Sequence, residues 1–417
     1  MKIAFLVHGF PNLSETFILN QITGLLDAGH DVHIHASGSP DAEKMHDDVR
    51  RYRLLERTHY RNPPGRYLPR LAGAARRAVR ARVRRGVAAA ALNILKHGRL
   101  TASLGLLHDS LLFLEHGPYD VIHCQFGSLG RTAAALRDIG VSGRARLVVS
   151  LRGSDVTTGE RIRHHATALR KCDLLLPVCE AFTSQLIAHG CDPRTIRVHH
   201  SGIKVSRFPH AERRRGPGEP TQLLTIARLI EKKGIEYAIR AVARVRGSGR
   251  PVRLAVMGDG PLRSDLERLA AKLDLAGDVQ LVGAGTQDAV IARLRQAHLF
   301  LAPSVTAVSG EQEGIPNVLK EAMATGIPVV GTRHSGIPEL IEDGVSGFLV
   351  PERDVDALAD RLTRLIDSPE RWGPMGRAGR QRVEADFDSD TLNRQLIGLY
   401  EQLLLERHLG GLETART

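Results

Sequence analysis

The feature that most constrains this chain is an alternation that runs, stops and starts again. Short apolar runs of strand character come first: "KIAFLVH" (2–8), "DVHIHAS" (31–37), "DVIHCQF" (120–126), "RLVVSLRG" (146–153), "DLLLPVC" (173–179) and "TIRVHHSG" (195–202). Helical sequence separates them. In "ETFILNQITGLLDAG", for example, Phe17, Ile18, Ile22, Leu25 and Leu26 share one side and Gly29 ends the run. A polar gap, "HAERRRGPGEPTQ" (210–222), is the linker candidate. The alternation then resumes with "LLTIARL", "VRLAVMGDG", "VQLVGA", "LFLAPS", "PVVGT" and "GFLVP". Strand–helix alternation predicts a parallel sheet with helices on both faces. Two rounds of it, in 417 residues, predict two α/β domains, 1–205 and 206–385, and a tail, 386–417. In that tail Leu392, Leu396, Leu399 and Leu403 are spaced for one face of a helix.

Composition narrows the functional classes. Apolar residues make up 42%, which is that of a folded chain. Cys124, Cys172, Cys179 and Cys191 form no CxxC pair, so reduced thiols in a cytoplasmic protein are expected rather than a cysteine metal site. The opening "MKIAFLVHGF" enters a strand at once, so no signal peptide is expected, and no apolar run is long enough to span a bilayer. "DVD" (354–356) and "DSD" (388–390) precede helical runs and are read as helix caps, so no metal is assigned.

The net charge of +12 is local. Residues 51–100 hold thirteen arginines and one lysine against Glu56, a net +13, which leaves −1 for the rest. Arg76, Arg80 and Arg84 recur every fourth residue along one helical face. The segment reads either as a contact for an anionic membrane surface or as a solvated face. Nucleic acid ranks third and is not expected as a partner, because no aromatic stacking platform accompanies the arginines.

Ligands of open α/β sheets bind at the carboxyl ends of the strands, and three stretches put polar residues there. In "TIARLIEKKGIEYAI", Arg228 and Lys233 lie before Gly234 and a helix start. Two cations beside free backbone N–H groups suit a diphosphate, although two surface cations near a turn would look the same. In "MGDGPLRSDL", Gly258 and Gly260 leave the backbone bare and Asp259 is a candidate cap. In "GEQEGIPNVLKEAMATG", Pro316 suits the first helical position and Gly326 the stop. Glu321 leans back toward Glu313 and Gly314, so the two acids could bracket one hydroxyl-rich ligand. Glu311 is read as complementing the helix dipole. Near the first strand, "HGFPNLSET" offers Gly9 for close backbone approach and Ser14 for capping; a plain strand–helix turn explains it equally.

The Glu313/Glu321 pair is followed by "EAMATGIPVVGT" and "GIPELIEDGVSGFLVP" and preceded by "ARLIEKKG", "GDGPL", "LAPS" and "HHSGIKVSRF". Together these resemble the retaining GT4 glycosyltransferases of GT-B fold. "GFPNLSETFILNQITGLL" and "IHCQFGSLG" resemble the subgroup of colanic-acid and exopolysaccharide biosynthesis. The resemblance covers about residues 1–407. It implies two Rossmann-like domains facing across a cleft, with the last helix returning to the first domain. It also implies a nucleotide diphosphate sugar donor, a UDP-sugar above others, and no cofactor or metal. By similarity, Arg228 and Lys233 neutralise the diphosphate and Glu321 bonds the ribose. Glu313 holds sugar hydroxyls, and the backbone of Gly314, Ile315 and Pro316 approaches the sugar and phosphates. Gly9 is assigned to acceptor or diphosphate contact. Two positions depart from the pattern. Arg152 of "LRGSD" stands where a histidine commonly meets the donor sugar; it can donate hydrogen bonds but cannot serve as a base. His298 stands where a structural aspartate is common. His8 and His123 are expected at strand ends facing the cleft, with a satisfied structural histidine as the competing reading for each.

The expected activity is retaining, metal-independent hexosyl transfer to a saccharide or lipid-linked acceptor. The protein would be cytoplasmic or peripheral on the inner face of the plasma membrane. The same chemistry on a soluble aminocyclitol is the alternative. A non-catalytic basic protein that binds membrane or nucleic acid is a distant one.

Overall fold

Strand–helix alternation yields two six-stranded, wholly parallel sheets in the computed structural model, which describes residues 1–12, 15–38, 45–61, 85–93 and 103–414. Ser14 and the arginine face formed by Arg76, Arg80 and Arg84 lie outside the described residues. The first sheet contains β1 (Lys2–Gly9), β2 (Asp31–Gly38), β3 (Thr58–Tyr60), β4 (Val121–Cys124), β5 (Arg146–Leu151) and β6 (Leu174–Pro177), in the order β3-β2-β1-β4-β5-β6. The second contains β7 (Thr221–Ile226), β8 (Val252–Met257), β9 (Val279–Gly283), β10 (Leu299–Ala302), β11 (Val329–Thr332) and β12 (Phe348–Val350), in the order β12-β11-β10-β7-β8-β9. Both follow the Rossmann order, in which the winding direction reverses beside the first strand. The reversal falls between β1 and β4 in one sheet and between β7 and β10 in the other.

The chain divides into two compact units. One comprises Met1–Pro177, Phe182–His199 and Asn393–Thr417; the other comprises Val178–Ala181 and His200–Leu392. Each has its own apolar core. The first gathers Ile3, Phe5, Ile22, Val32, Val121 and Val148. The second gathers Ile239, Val242, Leu254, Leu299, Leu362 and Trp372. The leucine spacing of the tail becomes the helix Ser389–Thr414. Its Leu396, Tyr400 and Leu403 are buried in the first core.

Some expectations need correction. "TIRVHHSG" forms no strand: Ile196 makes one isolated bridge to Leu175, although Arg197 and His199 still donate backbone bonds to Leu175 and Pro177. The edge strand β3, inside the basic segment, carries too short an apolar run to stand out. The proposed linker 210–222 packs into the second unit. Arg213 is buried there and donates to the Thr325 carbonyl at 3.0 Å, and Ala211 N–H reaches the same carbonyl. Asp354 and Asp388 do cap helices, Asp354 by accepting from Ala357 N–H at 2.8 Å and Asp388 from Asp390 N–H at 3.0 Å.

His123 points into the core instead of a cleft and is fully buried. Its Nε2 lies 2.8 Å from Ser150 Oγ and its Nδ1 2.6 Å from the Tyr400 hydroxyl, which ties the last helix to β4 and β5. Burial holds this imidazole well below the ordinary histidine range, with Arg152 and His199 adding to the effect. Gln125 Nε2, which can only donate, lies 3.4 Å from Nδ1, so the neutral ring accepts there from Tyr400 as well and donates from Nε2 to Ser150. His298 is structural too: its Nδ1 accepts from Gln222 N–H at 3.0 Å and its ring stacks on Trp372. Tyr400→Phe leaves the buried His123 Nδ1 with only the long 3.4 Å contact from Gln125 Nε2. Urea unfolding should show the first unit less stable by about 1–3 kcal/mol; an unchanged midpoint would contradict the pairing.

Candidate active site

The loops that leave β7 and β10 meet because those strands are neighbours at the reversal of strand order. Gly234, at φ +61°, makes the approach possible: a Cβ there would sit 1.8 Å from the Pro303 carbonyl. Val305 N–H donates to the Lys232 carbonyl at 2.9 Å, and Val308 N–H to Glu231 at 2.9 Å. These bonds bring Lys232 and Lys233 against the segment 311–316. Lys233 Nζ lies 2.8 Å from the Glu313 carboxylate, and Lys232 Nζ lies 3.6 Å from both Glu313 and Glu311. Burial would push the Glu313 carboxyl up, but the two ammonium groups and the Lys233 hydrogen bond outweigh it and hold it at about 2.

Arg228 is exposed, and no group among the described residues pairs with its guanidinium. Its backbone is held from the side of β8. Gly258, at φ +142°, brings its α-carbon so close to Ala227 that a Cβ would meet the carbonyl at 1.8 Å, and Gly260 packs equally against Leu229. "GDG" is thus bare where it clasps the exit of β7. Asp259 caps no helix. Its carboxylate accepts from Gly260 N–H, and Leu262 precedes the helix Arg263–Lys272.

The helix Asn317–Ala324 begins one residue later than expected, with Pro316 as its N-cap, and Gly326 at φ +80° ends it. Gly314, Ile315 and Pro316 are buried just before it. Among the described residues no acceptor meets the backbone N–H of Gly314, Ile315, Asn317 or Val318. Glu311, six residues ahead of the helix, pairs with Lys232 instead of the dipole. Glu321 is buried on the second turn. Burial raises its carboxyl to about 7, against a hydrogen bond with Gln287 and the charge of Lys320. Asn317 Oδ1 accepts from Lys320 Nζ at 3.0 Å.

Sequence reasoning passed over three participants: Lys232, His334 and Glu352. His334 follows β11 and Glu352 follows β12. The His334 ring joins them, with Nε2 at 3.0 Å from Glu313 N and Nδ1 at 2.6 Å from Glu352 Oε1. "EKKG" did hold the signal for Lys232, but neither partner of His334 is near it in sequence.

In the first unit, Gly9 ends β1 opposite Gly38, and Arg152 follows β5. The Arg152 guanidinium lies 4.2 Å over the Phe17 ring, and its Nη2 donates to Gln125 at 2.7 Å and Gln21 at 3.2 Å. Burial lowers it to about 10, although Asp155, Glu15 and Tyr400 favour its charge. His8 Nε2 lies 2.9 Å from Ser128 Oγ. Among the described residues, the imidazoles of His33, His59 and His116 form the one group with nitrogens close enough to share a metal ion. The rings of His59 and His116 stack at 3.6 Å and 12°, so their in-plane lone pairs cannot meet at one ion as arranged. Burial depresses both His33 and His59, and the charge of Lys2 adds to it.

Comparison with known proteins follows the two sheets. Residues 14–202 match the glycosyl transferase 4-like domain, and residues 208–382 match glycosyl transferases group 1. The protein named colanic acid biosynthesis glycosyltransferase WcaL, of Salmonella typhimurium, is 37% identical over 413 residues, spanning 97% of this chain and 100% of its own. The amylovoran biosynthesis glycosyltransferase AmsK of Erwinia amylovora is 35% identical over 418 residues, spanning 97% and 100%. The structure of Anabaena HepE in complex with UDP superposes with a TM-score of 0.71 at 18% identity, over 96% of this chain and 100% of that one. At that identity the likeness is one of fold.

Glu321 yields a prediction of its own. Its folded value of about 7 exceeds that of a free carboxylate, so the folded chain takes up a proton that the unfolded chain lacks at neutral pH. Its contribution to stability is complete below the ordinary carboxylate range and is lost as pH rises through about 7. Glu321→Gln should therefore stabilise the second unit at pH 8 by on the order of 1–3 kcal/mol. The gain should shrink toward pH 5 in urea unfolding. A gain independent of pH, or a loss at pH 8, would contradict the burial argument.

Proposed function

The chain belongs to the group 1 glycosyltransferases with a 4-like N-terminal domain, on a GT-B fold, and from that premise we propose that it carries out retaining hexosyl transfer from a nucleotide diphosphate sugar. The observation that carries this reading is the Lys233–Glu313–Lys232 cluster at the strand reversal, with Arg228 exposed on the loop that leaves β7. The donor diphosphate competes with Glu313 for Lys233 and takes Arg228 as its second cation. Glu313, so released, accepts from hydroxyls of the donor sugar. Glu321 accepts from the nucleotide ribose, and the N–H groups of Gly314, Ile315 and the following helix start face sugar and phosphate oxygens. In the first unit, Gly9 gives close backbone approach to the acceptor or diphosphate, and Arg152 donates to the donor side.

The bond from the anomeric carbon to the phosphate oxygen breaks as the acceptor oxygen attacks from the same face. The acceptor proton passes to the departing diphosphate. Negative charge grows on that diphosphate, where Arg228 and Lys233 are already placed to meet it, so the cations do the work a metal does in other transferases. The sugar turns oxocarbenium-like, and the Glu313 carboxylate tolerates that charge.

WcaL and AmsK are named for colanic acid and amylovoran biosynthesis, and HepE was solved with UDP. Those names support a UDP-sugar donor and a growing or lipid-linked saccharide acceptor in cell-surface glycan synthesis. Among the described residues no helix is long and apolar enough to cross a membrane. The net +13 of residues 51–100 would instead draw the protein to an anionic surface from the cytoplasmic side.

Incubation with radiolabelled UDP-, GDP- and ADP-sugars should show binding and slow hydrolysis or transfer of one of them. Arg228→Ala and Glu313→Ala should each lose at least about 100-fold in kcat/KM, as for loss of a charge-stabilising group. If no sugar nucleotide binds, or if both variants match the parent, the reading fails.

A further inference from the structure

We propose that His334 is a positioning residue for the donor site: a neutral imidazole, oriented by Glu352, that fixes the Glu313 backbone and so aims its carboxylate. The inference deepens the reading of Glu313 as the donor-sugar carboxylate and rests on it for function. Its structural content stands apart.

The tautomer follows from the partners. A backbone N–H can only donate, so the His334 Nε2, 3.0 Å from Glu313 N, must present its lone pair. The ring proton is then on Nδ1, which faces the Glu352 carboxylate at 2.6 Å. Glu352 is itself held, because Thr306 donates to it through backbone N–H at 2.7 Å and through Oγ1 at 3.3 Å. Burial would raise this carboxyl, and the Thr306 and His334 bonds together keep it below the ordinary value. His334 has no exposed surface, so water cannot replace either bond.

The chain of bonds has a topological meaning. Thr306 follows β10, His334 follows β11 and Glu352 follows β12, three adjacent strands. One buried ring thus ties together the loops at three neighbouring carboxyl ends and anchors 311–316 on the side away from Lys232 and Lys233. Lysines pull on the Glu313 side chain from β7 while the imidazole holds its main chain from β11. A carboxylate that must turn from an ammonium partner to sugar hydroxyls needs its backbone fixed while its side chain moves.

Two substitutions separate the ring's two bonds. A glutamine Oε1 falls near the imidazole Nε2 and can accept from Glu313 N–H; an asparagine amide falls near Nδ1 and keeps only the Glu352 bond. Hydrogen exchange reads the positioning directly, whatever the activity. His334→Asn and His334→Ala should speed exchange in 307–316 by at least about tenfold, the loss of one buried hydrogen bond. The β7 and β8 core should stay protected. His334→Gln should remain within about threefold of the parent. With the sugar nucleotide found to be the donor, KM should rise at least about tenfold in the Asn and Ala variants and recover in Gln, with kcat changing less. If Gln behaves like Ala, or if 307–316 exchanges as in the parent in all three, the proposal is overturned. If exchange follows the expected order but no sugar nucleotide is bound by any form, the positioning holds and the functional reading is what fails.

Discussion

The ion pair between Lys233 and Glu313 joins two loops that the sequence keeps far apart, and the second unit's site depends on it. At 2.8 Å and largely buried, it joins the charge of Lys232 in outweighing the desolvation of Glu313 and keeps that carboxyl at about 2. Strand order makes it possible. β7 and β10 lie side by side at the reversal, so the loops leaving them meet. Gly234 closes the loops to backbone contact, Gly258 and Gly260 clasp the strand exit that carries Arg228, and His334 anchors the far side. Every one of these features is a packing requirement before it is a chemical one. Their common product is a cluster of fixed charges around a bare helix start.

Most of the fold was legible in the sequence because buried parallel strands write themselves as short apolar runs. Eleven of the twelve strands coincide with runs quoted above, and the restart of the pattern marks the second sheet. The exceptions share one physical reason: strand identity at a sheet edge is decided by partners, not by composition. β3 has three residues and a place beside β2 that nothing local announces. "TIRVHHSG" has the composition but lies alongside β6 with a single bridge. The linker was misjudged because arginines read as solvent-seeking, whereas Arg213 finds the carbonyls at a helix end and goes inside.

The site was legible where chemistry and spacing coincide. Glu313, Glu321 and the Pro–Gly frame of their helix can be read from one line of sequence, and Lys233 from another. The structure then reassigns the bystanders: Glu311 serves Lys232, and "GDG" serves the neighbouring strand. His334 and Glu352 were invisible because their roles come from adjacency of β10, β11 and β12, which sequence spacing does not encode. His123 illustrates the reverse, a histidine at a promising strand end that the last helix claims for the core through Tyr400.

In the proposed reading, the Lys233–Glu313 pair is a closed form of the donor site which the diphosphate opens. A crystal structure of the protein with the nucleotide diphosphate it binds would test that most directly. Lys233 Nζ should then have moved off Glu313 onto a phosphate oxygen, with Arg228 on the same diphosphate. Lys233 still bonded to Glu313 as before, with the nucleotide seated away from both cations, would contradict it.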